Sequence, residues 1–475
     1  MTAKPTLNRP ILALLLSLGL ATNALAAHEL QVAPATEVLQ GEQQTLSLSG
    51  AAPGERITLR LSRSAVLPGT GPALLRAEAV FEADAQGRID PERQAPLAGS
   101  YSGVDGRGLF WSALPVRGEA GSAAPAAVTD AALTDGRLQL QAWRQNADGA
   151  PQLLAEQTLR WLPAQARVLA RAAAPLPGAQ LLLPKTGAPG HGPLPVVIVL
   201  GGSEGGTGMA RRVAEALAAR GLAALALPYY SPPRWGAQGP MAPELPALPA
   251  SFGRIELAQL ETARDWLRQQ PEVDAGRIAL WGASKGAEFV LAAASRIPGF
   301  KGVVAVVPSD VIWEGFDMMQ GALAQPSFSW RGEALAFVPY KGYQEEVAGF
   351  MSGQPVRLRR PHDAGRSAQP ERAAAARIAV EKIAAPLLLI AGSNDQVWDS
   401  GGMARTIAAR RAAAQLPTEL LLFEGAGHGI TGLGELPTTL NNAGPMKMGG
   451  EPAADAKAQQ QGWLRSLSFL REVLQ

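Results

Sequence analysis

The feature that most constrains this chain is a serine between two glycines, placed where an apolar run meets a helix-compatible run. The run at 277–281 has the composition of a buried strand, the sequence Gly-Ala-Ser-Lys-Gly follows at 282–286, and 287–295 can form a helix. A Gly-x-Ser-x-Gly sequence in the order strand, turn and helix is typical of a nucleophile elbow. The glycines are required because the sharp turn leaves no room for a Cβ atom. We therefore predict that Ser284 is a nucleophile; a purely structural turn is the alternative.

The second half of the chain predicts a parallel sheet covered by helices. Its apolar runs are continuous rather than alternating, as in strands that are buried on both faces. The predicted strands are 195–200, 222–227, 277–281, 303–307, 386–391 and 419–423, and the predicted helices include 209–220 and 255–270. Strands that alternate with helices in this way indicate a doubly wound α/β sheet.

The region in front of this sheet has a different pattern. Apolar and polar residues alternate in short runs, among them 45–49, 57–61 and 137–143, and turn residues separate the runs. Several short strands at such spacing are typical of a β-sandwich. We expect an immunoglobulin-like β-sandwich domain over 27–163 and an α/β domain over 164–475. Within the second domain, residues 308–382 form a long insertion that we expect to be a cap.

A base and an acid that could serve Ser284 follow the last two predicted strands. His428 is the only one of the four histidines that lies just after the final strand, and Asp395 lies at the end of the preceding one. The chain order serine, acid, histidine is that of the α/β-hydrolase fold. Asp399 is a rival for the acid, but Asp395 lies nearer the strand end, where its orientation is firmer. We predict the triad Ser284, Asp395 and His428.

Hydrolysis at a serine also needs backbone N–H groups that stabilise the oxyanion. The N–H of Lys285, at the start of the predicted helix, is one candidate. The second would come from the glycine-rich loop at 201–206, where Ser203 and Glu204 are both candidates. This loop lacks the Lys-Ser/Thr pair of a P-loop and the Gly-x-Gly-x-x-Gly spacing, which argues against nucleotide binding. The predicted chemistry requires no cofactor and no metal.

The N terminus predicts a cleaved signal peptide over residues 1–26. Lys4 and Arg9 precede an apolar run at 11–21, and Ala24-Leu25-Ala26 supplies small residues at the cleavage site. The run is short for a membrane span, so a retained anchor is the less favoured alternative. We expect export, to a bacterial periplasm, and no stable membrane insertion after the leader is removed.

Composition excludes several other classes of function. The chain has 43 Lys and Arg against 41 Asp and Glu, so it lacks the basic surplus of a nucleic-acid-binding protein. It has no cysteine, which excludes disulfides, thiolate metal sites and a cysteine nucleophile. The expected partner is a small-molecule acyl ester or thioester, and the sequence does not indicate an oligomeric state.

Taken in order, these motifs resemble the acyl-CoA thioesterase and bile acid-CoA:amino acid N-acyltransferase family. The sequences at 99–105 and 108–112 are similar to its N-terminal signature, and those at 282–288, 395–400 and 425–428 are similar to its elbow, acid and histidine segments. The resemblance implies an α/β-hydrolase with a front β-sandwich and a triad that contains Asp395. It also implies hydrolysis of acyl thioesters through an acyl-enzyme, because the amidating members use cysteine where this chain has serine.

Two other functions stay open. Acyl-CoA is a cytoplasmic metabolite, so an exported enzyme could instead be a carboxylesterase or lactone hydrolase, or an acyltransferase that acts on a non-CoA ester. The third hypothesis is an exported binding module in which the sandwich is the working part. A complete triad argues against that third hypothesis.

Overall fold

The computed structural model describes residues 27–67, 71–116, 136–146, 149–185, 192–236, 239–317 and 320–475. The predicted signal peptide at 1–26 lies outside the described residues. Within the described ranges, none of the helices combines the length and the apolar character needed to cross a membrane.

The front region forms the predicted β-sandwich, with layers of unequal size. Strands β1 and β3 form a two-stranded sheet, and the larger sheet has the order β2-β9-β8-β4-β5-β6 with β7 on the free side of β5. The strands are β1 (Glu29–Ala33), β2 (Glu37–Leu39), β3 (Thr45–Ser49), β4 (Arg56–Leu67), β5 (Gly71–Glu82), β6 (Ala98–Gly99), β7 (Leu114–Pro115), β8 (Arg137–Gln145) and β9 (Pro151–Leu162). Alternate residues such as Leu46, Leu48, Ile57 and Leu59 point inward from both sheets into one core.

A short helix, α1 (Gly108–Trp111), closes one end of this core and explains the front signature. The side chain of Asp105 accepts hydrogen bonds from the Trp111 indole and from the Arg107 backbone, both at 2.8 Å. A Cβ atom on Gly108 would overlap the ring of Tyr101. The signature residues therefore fix a turn that packs against the sandwich.

The back region forms the predicted doubly wound sheet of eight strands, in the order β10-β11-β13-β12-β17-β18-β23-β24. Strand β11 pairs antiparallel with both β10 and β13. The other neighbours in this order, from β13 through β12, β17, β18 and β23 to β24, pair in parallel. Its strands, with the short ones around it, are β10 (Val168–Ala172), β11 (Gln180–Pro184), β12 (Leu194–Leu200), β13 (Ala223–Ala226), β14 (Arg234–Gly236), β15 (Gly239–Met241), β16 (Ile255–Glu256), β17 (Val273–Ala283), β18 (Val303–Val306), β19 (Glu314–Asp317), β20 (Gly321–Pro326), β21 (Phe328–Trp330), β22 (Glu333–Ala334), β23 (Leu387–Gly392) and β24 (Thr418–Phe423).

Strand β12 shows why the central strands are apolar without alternation. Its Val196, Ile198 and Leu200 enter a core on one face of the sheet, while Val197 and Val199 enter a core on the other face. The helices of this region are α2 (Gly208–Ala218), α3 (Gln259–Leu267), α4 (Lys285–Ala294), α5 (Tyr343–Met351), α6 (Arg359–Ala368), α7 (Pro370–Ala375), α8 (Ser400–Ala413) and α9 (Pro452–Val473). The predicted helix over 255–270 is shorter in the structure, because the chain first forms β16.

The insertion between β18 and β23 contributes aromatic side chains to the core. Trp313, Phe316 and Phe328 are each at most 9% exposed. Phe316 and Phe328 join the main core, and Trp313 joins a small cluster with Trp398. These side chains therefore pack as core residues rather than line an open pocket.

One buried cation, Arg411, hydrogen-bonds helix α8 to segments that adjoin the sheet. The guanidinium of Arg411, on α8, donates to the carbonyl oxygens of Val380, Ile383, Ala385 and Pro417 and to the Thr418 hydroxyl. We predict that Arg411→Met lowers the free energy of unfolding by about 3 kcal/mol, because it leaves buried carbonyl groups unpaired.

Chemical denaturation would measure this loss, with Arg405→Met as the control. Arg405 is an exposed arginine on the same helix, so its replacement should leave the free energy of unfolding nearly unchanged. Equal effects from the two variants would contradict a structural role for the Arg411 hydrogen bonds.

Candidate active site

Ser284 stands at a strained turn between β17 and α4. Its backbone has φ 55° and ψ −122°, a conformation that is unfavourable for a residue with a side chain. The Ser284 N–H donates to the Val306 carbonyl at 2.9 Å, which anchors the turn to the neighbouring strand β18. Ser284 is half-buried as a residue.

The glycines on either side allow the turn to form. A Cβ atom on Gly282 would overlap the carbonyl of Gly286, and one on Gly286 would overlap the carbonyl of Gly201. Gly201 belongs to the glycine-rich loop after β12. The two glycines of the motif therefore let the turn close and bring it against that loop.

The structure brings the three predicted side chains into one hydrogen-bonded series. The Ser284 Oγ lies 2.9 Å from His428 Nε2, and His428 Nδ1 lies 2.8 Å from Asp395 Oδ2. Asp395 is fully buried, and its Oδ1 accepts the backbone N–H groups of Val397 and Trp398. Because a carboxylate can only accept, His428 carries its proton on Nδ1 and leaves Nε2 free to accept from the serine hydroxyl.

Asp399, the alternative candidate for the acid, has hydrogen-bond partners other than His428. Its Oδ1 accepts the N–H of Gly402 at the start of α8 and lies 3.1 Å from the guanidinium of Arg359. Its side chain is 42% exposed. Asp399 is therefore a helix cap, and Asp395 is the acid that contacts the imidazole.

The loop that carries His428 is held by side chains that sequence reasoning did not identify. The His428 N–H donates to the Met448 carbonyl at 2.9 Å, and Asn442 Oδ1 accepts the N–H of Met448. Asp455, on α9, accepts the N–H of Gly427 at 2.7 Å. Burial raises the pKa of Asp455, and the nearby charge of Asp395 adds to the rise. None of these contacts has a local sequence signature.

A buried ion pair joins the turn to the insertion. Lys285 Nζ lies 2.6 Å from Glu288 Oε2 and donates to the Ser327 hydroxyl at 2.8 Å. Glu288 Oε1 accepts the backbone N–H of Trp313. Burial lowers the pKa of Lys285 and raises that of Glu288, and each opposes the other's shift. The Lys285 side chain thus serves the packing of the insertion, whereas its backbone N–H begins α4.

The glycine-rich loop lies beside Ser284. The Tyr229 hydroxyl donates to the Gly201 carbonyl at 2.8 Å, and the Gly202 N–H donates to Glu204 Oε1 at 2.9 Å. Among the described residues, the backbone N–H groups of Ser203 and Lys285 have no acceptor. These two groups are therefore available to a bound substrate.

The other described histidines, His28 and His362, form no hydrogen bond to the series Ser284–His428–Asp395. His28 Nε2 lies 3.6 Å from Glu55 Oε2 in the front domain, and His191 lies outside the described residues. His362 is buried, and desolvation lowers its pKa to about 3, so it stays neutral. The described ranges contain no group of three His, Cys, Asp or Glu side chains that could hold a metal ion.

Family profiles match both halves of the chain. The profile described as acyl-CoA thioester hydrolase/BAAT N-terminal region matches residues 41–167, and the one described as BAAT/acyl-CoA thioester hydrolase C-terminal matches 255–475. The chain belongs to this family. Its fold is thus the family's α/β-hydrolase fold with a front β-sandwich.

Members of the family that resemble this chain include three mammalian proteins. Human acyl-coenzyme A thioesterase 6 is 27% identical, over 94% of this chain and 97% of that protein. Mouse acyl-coenzyme A thioesterase 1 is 28% identical over 94% and 96%, and mouse mitochondrial acyl-coenzyme A thioesterase 2 is 29% identical over 96% and 92%. A remote likeness among solved structures is a putative dienelactone hydrolase from Klebsiella pneumoniae, with 18% identity, a TM-score of 0.35 and coverage of 62% and 92%.

The close approach of the turn to the loop can be tested at Gly286. We predict that Gly286→Ala lowers the free energy of unfolding by about 1–3 kcal/mol, because the added methyl group overlaps the Gly201 carbonyl. Denaturant unfolding measures the change. Gly444→Ala is the control, since its methyl group would enter open space; a Gly286 variant as stable as this control would refute the steric argument.

Proposed function

We propose that this protein is a serine hydrolase that cleaves acyl thioesters of the acyl-CoA kind through an acyl-enzyme intermediate. The observation that carries the proposal is the hydrogen-bonded series from Ser284 through His428 to Asp395. The substrate class is supported by the relatives, which are named acyl-coenzyme A thioesterases. The serine in place of cysteine supports transfer of the acyl group to water.

In the first half-reaction His428 Nε2 takes the proton of the Ser284 hydroxyl while Oγ attacks the thioester carbonyl carbon. The buried carboxylate of Asp395 orients the imidazole and stabilises the imidazolium that forms. When the tetrahedral intermediate collapses, the carbon–sulfur bond breaks and the thiol leaves with the proton from His428. Ser284 then carries the acyl group as an ester.

In the second half-reaction water replaces the thiol. His428 takes a proton from the water as its oxygen attacks the ester carbonyl carbon, and returns that proton to Ser284 Oγ as the acid is released. Ser284 and His428 are then in their starting protonation states. Each half-reaction needs the same oxyanion donors, because each passes through a tetrahedral intermediate.

The oxyanion donors in this proposal are the backbone N–H groups of Lys285 and Ser203. Lys285 begins α4, where N–H groups have no partner within the helix. Of the two loop candidates we propose Ser203 rather than Glu204, because the N–H of Glu204 lies against its own carboxylate. The N–H of Gly202 is already donated to that same carboxylate.

A second candidate function uses the same residues on another substrate. The signal sequence predicted at 1–26 favours an exported carboxylesterase or lactone hydrolase, or an acyltransferase that acts on a non-CoA ester. A screen of acyl-CoAs beside p-nitrophenyl esters and lactones distinguishes these substrates. A preference for simple esters would remove the thioesterase assignment and keep the mechanism.

We predict that Ser284→Ala and Asp395→Asn each lower kcat for acyl-CoA hydrolysis about 10⁴-fold or more, as in other serine triads. Asp399→Asn is the matched control for the acid and should change kcat less than about tenfold. Release of free thiol measures the rate, and intact mass spectrometry of the wild-type enzyme during turnover should detect an acyl adduct on Ser284.

The opposite ranking of the two aspartates would overturn this assignment of the acid. Full activity of Ser284→Ala would overturn the acyl-enzyme mechanism itself. Thermal unfolding of each variant separates a chemical effect from a loss of folding.

We also propose that residues 1–26 are removed on export, so that the mature chain begins at Ala27. Expression of the full chain in a bacterium with a secretory pathway, followed by N-terminal sequencing of the periplasmic fraction, measures this directly. A retained Met1 in a cytoplasmic product would show that the leader is not used.

A further inference from the structure

Glu204 is an acidic residue near the nucleophile, and the mechanism above leaves its side chain without a role. Its carboxylate folds back over its own loop, where Oε1 accepts the Gly202 N–H at 2.9 Å. A Cβ atom on Gly202 would lie 2.8 Å from Glu204 Oε2 and 3.2 Å from the Cβ of Ser284. The space that Gly202 leaves open is thus bounded by this carboxylate and by the nucleophile.

The rest of the glycine-rich loop is anchored by two tyrosines that follow β13. The Tyr229 hydroxyl donates to the carbonyl groups of Gly201 and Gly202, at 2.8 and 3.3 Å. The Gly206 N–H donates to the Tyr230 carbonyl. Glu204 therefore supplies the hydrogen bond that fixes the loop on the side facing Ser284.

The electrostatic surroundings of this carboxylate include the imidazole of the proposed triad. Desolvation raises the pKa of Glu204, and the backbone N–H groups of Glu204 and Gly202 and the charges of Arg212 and His428 oppose the rise. Glu204 as a whole residue is exposed to solvent. The charge of His428 is thus one of those that act on this carboxylate.

We propose that Glu204 is a positioning residue for the hydrolysis proposed above. Its carboxylate holds the backbone at Gly202 so that the Ser203 N–H faces the substrate oxyanion. Its negative charge also stabilises the imidazolium form of His428, alongside Asp395. This inference rests on the proposed function and adds a residue to it.

The charge component of this proposal, which is the effect of the Glu204 charge on His428, predicts a shift in the pH dependence of activity. Besides Glu204, the ionisable groups near His428 are Asp395, Asp455 and His362. The charge of His428 favours the ionised form of Glu204. This interaction is reciprocal, so removal of the Glu204 charge disfavours the imidazolium. The acid limb of the kcat/KM profile should therefore move to lower pH by about half a unit in Glu204→Gln.

Two substitutions at Glu204 separate hydrogen bonding from charge. Glu204→Gln keeps an oxygen that can accept the Gly202 N–H, so kcat at pH 8 should stay within about tenfold of wild type. Glu204→Ala removes the acceptor as well and should lower kcat about 100-fold, the size of effect seen when an oxyanion donor is lost. Both effects should fall on kcat more than on KM, because the oxyanion forms after binding.

The control is Glu371→Gln, which removes a carboxylate from the exposed surface of α7 and should leave kcat and the pH profile unchanged. Labelling of Ser284 with a fluorophosphonate and thermal unfolding report whether each variant is folded. If the Ala variant does not fold, the Gln variant still decides the charge component.

A Gln profile that superimposes on that of the wild type would overturn the charge component, and an Ala variant with wild-type kcat would overturn the positioning of the loop. Failure of the proposed function has a different signature. In that case wild type would form no acyl adduct on Ser284, and Ser284→Ala would retain activity, whatever happens at Glu204.

Discussion

The approach of two backbones at Gly201 and Gly286 is the constraint on which the site depends. The start of α4 lies so close to the loop after β12 that Gly286 cannot carry a side chain, and Gly282 cannot carry one because the carbonyl of Gly286 lies against it. Ser284, between these two segments, has an unfavourable backbone conformation. The strain is sustained because β17 is hydrogen-bonded between β12 and β18, which leaves the turn no freedom to relax.

Much of the site could be predicted because its residues obey rules of chain order. Ser284, Asp395 and His428 each follow a strand of the parallel part of the sheet, and the carboxyl ends of such strands lie at one edge of a sheet. Proximity to the strand end also separated Asp395 from Asp399, since the latter is far enough along to cap α8. The fold followed from equally simple patterns, continuous apolar runs in one half and alternation in the other.

The features of the site and the fold that could not be predicted depend on contacts between segments that are distant in the chain. Such contacts leave no local pattern in the sequence. Asp455 lies on the last helix, and only the folded structure shows that it accepts the N–H of Gly427. The carboxylate of Glu204 could not be predicted to turn back onto Gly202, because in a glycine-rich loop many conformations are open. The helix expected over 255–270 was too long for a related reason: Ile255 pairs with Phe328 of the insertion, and this tertiary contact overrides the helical pattern.

Hydrogen bonds and packing connect the front domain to the loop that carries His428. The Thr439 hydroxyl donates to the Ala113 carbonyl, and Leu440 packs against the sandwich core. Two residues later Asn442 binds the backbone at Met448, whose carbonyl accepts the N–H of His428. The loop that carries the imidazole is therefore fastened at one end to the front domain and at the other to the parallel sheet. A hydrogen-bonded series that tolerates displacements of only a few tenths of an ångström needs both attachments, so the sandwich is part of what holds His428 in place.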